Sequence, residues 1–345
     1  NRPLGESLII HDTGINAIFD ADGNVVTSIS MPAYDKVNLM CRSSLTGNVT
    51  YQWQVCCDTK QELWVNVFRQ TSSAFTINYG MLAQRVDEEG FAHIRCVSTV
   101  GEKTVIGEDI PVQIIKTASV NRFMSKSPRA VVTAEDGQDP GNTTIYNVII
   151  EYVFPNGTQA ANPWTATIEA GGDFKSTIKS PEVVGYAPDQ AEVELDIQDI
   201  GKDLTYTVTY SPAEVDFVVS HQMQNALDDN YTEFLRISAK GYTDSFVGEG
   251  LAIPEAEMAA KGIYALPYDI EQKIAADGTT EVVIKYDRYY SLMNFVLSGG
   301  YNVEPIYARA GTPISVGIPI RAGYVFQGWD TNGDGVVDSL PTTMP

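Results

Sequence analysis

The chain has 345 residues, more than one domain usually holds, so two to four domains are expected. A hydrophobic fraction of 43% and a charged fraction of 19% are typical of folded globular protein and exclude a disordered tail. The formal net charge is -21, from 23 Lys and Arg against 44 Asp and Glu, which argues against a nucleic-acid or anionic-membrane partner.

Both ends of the sequence indicate a fragment. No apolar run approaches the ~20 residues that a membrane helix needs, and the first residues, NRPLGESLII, lack a signal-peptide layout. The last residues, SLPTTMP, stop after a turn where a β-module would still need a closing strand. Within them, LPTTM imitates a sortase anchor, but Met344 stands where Gly is required, so we interpret it as a loop. We expect a monomeric fragment, truncated at both ends.

Apolar residues alternate with polar ones along most of the chain, whereas helical periodicity is almost absent. The clearest strands are VIIEYVF, from Val148 to Phe154, and LTYTVTY, from Leu204 to Tyr210. One short helix is expected in PEAEMAAKG, where Pro254 suits the first turn. The pattern predicts an all-β, multidomain protein.

Composition and turn signals divide the chain into six parts. They are an extended N-terminal segment (1–30), a β-sandwich (31–117), a polar linker (118–143), two repeat copies (144–212 and 213–287) and a shorter related unit (288–345). We expect these modules to follow one another in an elongated arrangement.

The two repeat copies share a central Gly followed by Tyr and Pro, and a closing Tyr. The positions are Gly185, Tyr186, Pro188 and Tyr210 in the first copy, and Gly262, Tyr264, Pro267 and Tyr286 in the second. The closing tyrosines lie 76 positions apart and the glycines 77, so two independent features indicate the same repeat length.

Cysteine and tryptophan residues mark the sandwich block. Cys41, Trp53 and Cys96 each lie in a segment of alternating apolar residues, and their spacing resembles that of an immunoglobulin-like domain. The resemblance implies a disulfide between Cys41 and Cys96, with Trp53 packed on it. Such a bridge implies an oxidising, extracytoplasmic setting. Ile94 departs from the family pattern, because a tyrosine is common at that position, so we expect a bacterial Ig-like module.

Cys56 and Cys57 are adjacent, and neighbouring residues on a strand point to opposite faces. Three interpretations remain open for them: two unreactive thiols, a strained vicinal disulfide, or an alternative pairing. A zinc site is not expected, because no paired Cys-x-x-Cys or Cys/His spacing occurs.

The first repeat copy, from VIIEYVFPNG to the closing LTYTVTY, resembles the mucin-binding-protein (MucBP) repeat of Gram-positive surface proteins, and the second copy resembles a divergent relative. The resemblance implies β-grasp-like modules used in adhesion or as spacers. The last unit is similar to the internalin-type B repeat, also called the Listeria-Bacteroides repeat. Its hallmarks here are Phe295, Gly299, Gly300, Pro319, Gly323, Tyr324, Phe326, Gly328, Trp329 and Asp330. We expect Tyr324 and Trp329 to fill a small core.

The segment DTNGDGVVD places Asp330, Asn332, Asp334 and Asp338 at positions 1, 3, 5 and 9 of a calcium-loop pattern. Position 12 is Pro341 rather than the bidentate Glu. Calcium is therefore one interpretation, a plain acidic hairpin turn is the other, and we expect no other cofactor.

We assign no catalytic residue. His11, His93 and His221 lie outside any H-E-x-x-H motif, and no nucleophile-elbow, Walker or dinucleotide motif occurs. A carboxylate-only glycosidase would need a large concave scaffold, which small modules rarely provide.

These observations predict a non-catalytic adhesin or stalk on a bacterial cell surface, extracellular and attached to the cell wall through a region outside this fragment. Partners would be host or neighbouring-cell glycans, mucins or proteins. The alternative is an accessory region of a larger secreted or wall-anchored carbohydrate-active enzyme. If a contact surface exists, Trp64, Trp164 and Tyr301 are the candidates, since aromatic faces stack on sugar rings. Core or turn packing is the alternative role for each.

Overall fold

The computed structural model describes residues 14–115 and 144–345. The predicted linker, 118–143, and the first 13 residues of the predicted N-terminal segment lie outside these described residues. The protein is β-rich, with 50% strand and 4% helix arranged in several sheets, which confirms the all-β, multidomain prediction.

The first module is a two-sheet sandwich. Its elements are β1 (Asn16–Phe19), β2 (Ile29–Pro32), β3 (Lys36–Ser43), β4 (Thr50–Asp58), β5 (Leu63–Asn66), β6 (Ala74–Asn78), α1 (Tyr79–Leu82), β7 (Phe91–Val100), β8 (Lys103–Ile106) and β9 (Ile110–Ile115). One sheet has the order β1-β3-β6, and the other has the order β2-β9-β7-β4-β5 with β8 paired to β7. Their alternating inward side chains form one buried cluster that includes Trp53 and Ile94.

The sandwich begins earlier than the sequence boundary at residue 31. β1 pairs with β3, and both Ile18 and Ile29 belong to the buried core. Residues 16–30 are therefore part of this module rather than an extended lead-in, because their apolar side chains complete its two sheets.

The second module contains β10 (Ile145–Val153), β11 (Gln159–Glu169), β12 (Phe174–Lys179), β13 (Tyr186–Pro188), β14 (Glu192–Ile197) and β15 (Leu204–Pro212). The third contains β16 (Glu214–Gln224), β17 (Tyr231–Tyr242), α2 (Glu255–Lys261), β18 (Ile263–Ala265) and β19 (Glu281–Arg288). Their four-stranded sheets have the orders β11-β10-β15-β13 and β17-β16-β19-β18, which are equivalent.

In both modules the strands that come first and last along the chain, β10 and β15 or β16 and β19, pair in parallel at the centre of the sheet. This pairing requires a long crossover between them. The crossover differs: a two-stranded ribbon, β12–β14, occupies it in the second module and α2 occupies it in the third. The predicted short helix is thus present in only one copy. Tyr210 and Tyr286 close the two sheets and are both 0% exposed.

The remaining strands, β20 (Tyr290–Met293) and β21 (Ile306–Arg309), form a hairpin that packs back on the sandwich. Tyr290 and Tyr307 belong to the same buried cluster as Trp53. The contacts therefore depart from the linear order expected from the sequence, because the hairpin supplies apolar side chains that the sandwich core needs.

Candidate functional site

The predicted disulfide partners lie on opposite sheets of the sandwich. Cys41 on β3 is 1% exposed, Cys96 on β7 is 0% exposed, and their thiols hydrogen-bond to each other. That contact and burial raise the pKa of Cys96. All four cysteines are free thiols in this structure, so the bridge itself stays a prediction. Trp53 lies on β4 beside Cys96, stacks on Phe75 at 4.7 Å between ring centroids and donates its Nε1–H to the Ser72 carbonyl at 2.9 Å.

Cys56 and Cys57 sit where the pairing of β4 with β5 shifts register. Cys56 is 4% exposed, and Cys57 is half-buried against the sandwich core. Burial raises the pKa of both thiols, that of Cys57 to about 11. A thiol with such a pKa is a poor nucleophile at neutral pH, which favours the interpretation of two unreactive thiols.

The three candidate contact aromatics lie in different modules. Trp64 is half-buried, and the Arg95 guanidinium covers its ring at 4.1 Å from the centroid. Trp164 packs against the core of the second module, with its ring centroid 6.0 Å from that of Phe174. Tyr301 is 61% exposed. They do not form a common platform, and only Tyr301 presents most of its side chain to solvent.

The acidic loop is a tight turn held by its own carboxylates. Asp330 accepts N–H bonds from Gly333 at 2.6 Å and Gly335 at 2.8 Å, which lower its pKa. Asp338 accepts N–H and hydroxyl bonds from Thr331. Within 14–115 and 144–345, no group of three or more His, Cys, Asp or Glu side chains is arranged to hold a metal ion. The calcium interpretation stays a prediction.

The last unit packs less than its sequence pattern predicts. Trp329 is half-buried between Phe295 and Phe326, at ring-centroid distances of 5.0 and 5.3 Å. Tyr324 is 66% exposed, beneath the Arg321 guanidinium at 3.9 Å. The expectation that Tyr324 fills a core is wrong, because the chain around it forms turns and isolated bridges rather than a sheet that could cover the ring.

The third module is fixed to the sandwich by an aromatic contact that the sequence did not predict. Tyr264 is 6% exposed, and its hydroxyl accepts the backbone N–H of Gly80 at 2.9 Å. Its ring packs on Tyr79 at 5.1 Å and on Tyr289 at 4.8 Å. The hydroxyl also donates to the buried carboxylate of Asp287 at 3.4 Å.

A second contact comes from the last hairpin. Tyr307 is 1% exposed, its hydroxyl donates to the Met81 carbonyl, and its own carbonyl accepts the N–H of Phe68 at 3.0 Å.

The sequence signal for the first of these two contacts is the repeat tyrosine: Tyr264 is the residue after Gly-Ile in the second copy. The position of Tyr264 in the repeat indicates a structural role, but only the fold shows which surface this tyrosine contacts.

A cleft lies where the sandwich, the β16–β17 turn and the last hairpin meet. Its two adjoining parts have volumes of about 160 Å³ and about 50 Å³. We call it the junction cleft and define it by Lys36, Gln70, Asn78, Tyr290 and Arg309. None of these residues was singled out by the sequence, because they come from two distant parts of the chain, the sandwich and the last hairpin.

Arg309 is held at the junction cleft by the turn between β16 and β17. Its side chain is 11% exposed, with Nη1 donating to the Asp228 carbonyl at 2.8 Å and Nη2 paired with the Asp229 carboxylate. Burial opposes its charge, but Tyr290 and Asp229 together raise its pKa.

No helix in the described ranges is long and apolar enough to span a bilayer. No family model matches the chain, and no curated protein does. Among solved structures, the chain is similar to the Bacillus anthracis TIE protein, with a TM-score of 0.24 and 9% identity, covering 88% of this chain and 67% of that one. A TM-score this low carries no argument about fold or function. The MucBP and internalin resemblances rest on the residues quoted above and stay predictions.

Proposed function

We propose that this chain is a non-catalytic display region of an extracellular bacterial surface protein, acting as an adhesin or as the stalk that presents one. The resemblance of its repeats to those of Gram-positive surface proteins supports the location. The acidic surface, with a net charge of -21, suits a protein displayed in solution rather than one bound to nucleic acid.

The observation that carries the proposal is the fixing of modules to one another. Besides the Tyr264–Gly80 contact, the second and third modules are joined by Thr243, whose hydroxyl donates to the Gly185 carbonyl at 2.7 Å, and by Tyr186, whose hydroxyl donates to Asp244 at 2.5 Å. Small β-modules with bonded junctions hold a contact surface at a defined orientation, as a stalk or adhesin requires.

The test is binding of the purified chain to mucin and glycan arrays and to intact host cells, with a single β-module of similar acidity as control. We expect saturable binding above that control. If nothing binds, the adhesive role is wrong and a spacer remains. If the chain instead raises the activity of a neighbouring catalytic domain on a polysaccharide, the accessory role in an enzyme replaces our proposal.

A further inference from the structure

The junction cleft collects polar groups that the protein itself leaves unused. Asn78 is 5% exposed; its Oδ1 accepts the Met81 N–H at 3.0 Å, while no partner within 14–115 and 144–345 engages its Nδ2. The Nε atom of Arg309 is buried and also has no hydrogen-bond partner in the described ranges. A buried donor without an acceptor, as Arg309 Nε is, is uncommon because it loses its hydration without replacement.

Two further groups line the same space. The Lys36 ammonium makes no ion pair within the described part of the chain, and the side-chain amide of Gln70 makes no hydrogen bond there. Lys36 and Asn78 are cross-strand partners of β3 and β6, so their side chains emerge side by side. Three side chains with donors, Lys36, Gln70 and Asn78, therefore line one cleft beside the Arg309–Asp229 pair.

The chemistry of these groups selects the ligand. Ammonium, guanidinium and amide N–H groups are donors, and a carboxylate offers about four acceptor sites and no donor. Asp229, the acid that also lines the cleft, is already paired with Arg309. The Lys36 ammonium at this cleft also contrasts with the net charge of -21 of the chain.

The size and walls of the cleft select the rest of the ligand. Its larger part, about 160 Å³, is smaller than the ~300–1,000 Å³ pockets that hold drug-sized molecules, so it suits one sugar unit rather than an oligosaccharide. Phe75 and Tyr290 also line it, although both belong to the buried sandwich core. We propose that the junction cleft binds the carboxylate of an acidic sugar unit, such as a uronic acid, which rests on and deepens the proposed adhesive function.

The experiment is titration of the whole chain with glucuronic acid, with glucose as the neutral counterpart, by calorimetry and ligand-observed NMR. We expect saturable binding of glucuronic acid that weakens with added salt, and no binding of glucose. Equal binding of both sugars, or binding of neither, overturns the proposal.

Two variants test the cleft without disturbing the fold. Lys36→Gln removes an exposed, unpaired charge, and we expect it to lower the affinity about ten-fold. Gln70→Glu adds a carboxylate of the same size and should abolish binding. Lys202→Gln and Gln84→Glu, both at exposed positions outside the cleft, are the matched controls and should bind normally. Unchanged binding by Lys36→Gln, with the melting temperature of the parent chain, overturns the proposal.

A separate titration distinguishes a sugar carboxylate from a peptide carboxylate. If a peptide with a free C-terminus binds and glucuronic acid does not, the sugar is wrong and a protein ligand takes its place. If Lys36→Gln leaves array binding unchanged, the carboxylate site in the junction cleft is wrong but the adhesive function stands. If glucuronic acid binds but the chain binds no array or cell, the cleft site stands and the adhesive function is wrong.

Discussion

The hydroxyl of Tyr264 accepts the backbone N–H of Gly80 at 2.9 Å, although the two residues are 184 positions apart. Gly80 lies in α1 of the sandwich and Tyr264 in β18 of the third module. A Cβ at position 80 would be 2.4 Å from the Arg288 carbonyl oxygen and 2.7 Å from the Tyr264 ring, so only glycine permits this approach. The two modules therefore depend on each other at one backbone position.

Gly80→Ala should separate the sandwich from the third module. Because the nearest obstacle is backbone, the added methyl group cannot be accommodated by a side-chain rotation, and we expect a loss of about 1–3 kcal/mol in the free energy of unfolding. Gly201→Ala is the control, since nothing lies within 4 Å of its Cβ position. Urea denaturation measures both. A stability of Gly80→Ala equal to that of the control would show that the junction is looser than the contacts indicate.

The last hairpin should stabilise the sandwich rather than only itself. Tyr307→Ala removes a ring that is 1% exposed in the sandwich core, and we expect a cost of about 3–5 kcal/mol. Amide hydrogen exchange should accelerate in β4 and β7. Tyr324→Ala, in the same unit but 66% exposed, should leave the exchange of these strands unchanged. Faster exchange confined to β20 and β21 would contradict the shared core.

His93 should make the sandwich depend on pH. Its Nδ1 lies 3.0 Å from Asp109 and its Nε2 3.1 Å from Asp87. Burial alone lowers the pKa of His93, but the hydrogen bonds to Asp87 and Asp109 raise it above the ordinary value for histidine. The stabilisation is therefore fully present below the unfolded-state pKa and is lost as pH rises through the folded-state pKa. His93→Gln should cost more stability near about pH 5.5 than near about pH 8.

His221 provides the opposite sign as an internal control. It is 1% exposed, its Nδ1 lies 2.8 Å from the Tyr286 hydroxyl, and burial lowers its pKa. The stabilisation from neutral His221 is present above its unfolded-state pKa and is lost as pH falls below that value. Chemical denaturation across pH, followed for each histidine by NMR, separates the two. If His93→Gln lowers the free energy of unfolding equally at both pH values, the prediction that Asp87 and Asp109 stabilise charged His93 is wrong.

The cysteines should divide into one pair that can form a disulfide and two inert thiols, because Cys41 and Cys96 are in contact and Cys96 lowers the pKa of Cys41. Air oxidation of the purified chain should remove two hydrogens and join Cys41 to Cys96, which intact mass and a non-reducing peptide map would show. The bond should stabilise the sandwich by up to about 4 kcal/mol on the chain-entropy account. Cys56 and Cys57 should resist alkylation in the native state, because burial raises both pKa values. A peptide linking Cys56 to Cys57 would instead support the vicinal disulfide.

The acidic loop should hold its turn through Asp330. Asp330→Ala removes the acceptor for the N–H groups of Gly333 and Gly335, so we expect faster amide exchange at both glycines. Asp334→Ala is the milder comparison, because the Asp334 carboxylate accepts the Val336 backbone N–H and the Asn332 side-chain amide but neither glycine N–H. Calcium and chelator should leave the melting curve of the parent chain unchanged. A calcium-dependent rise in melting temperature would establish the ion site instead.

Alternation along VIIEYVF was enough to place that strand and its inward face, because period-two patterning acts on each strand separately. Val148, Ile150 and Tyr152 are buried as that pattern predicts. The predicted helix after Pro254 is present as α2, whose C-terminus is capped by Gly262 with a left-handed φ of 62°. The closing tyrosines Tyr210 and Tyr286 occupy equivalent, fully buried positions.

Local sequence determined the strands, their faces, the repeat and the turn residues of this protein, since these depend on neighbours a few positions away. The tertiary structure alone decided that Tyr307 completes a core begun by Ile18, and that Lys36, Asn78 and Arg309 border one cleft. Such contacts join residues hundreds of positions apart, and their energy depends on shape and burial at a surface that no single segment encodes.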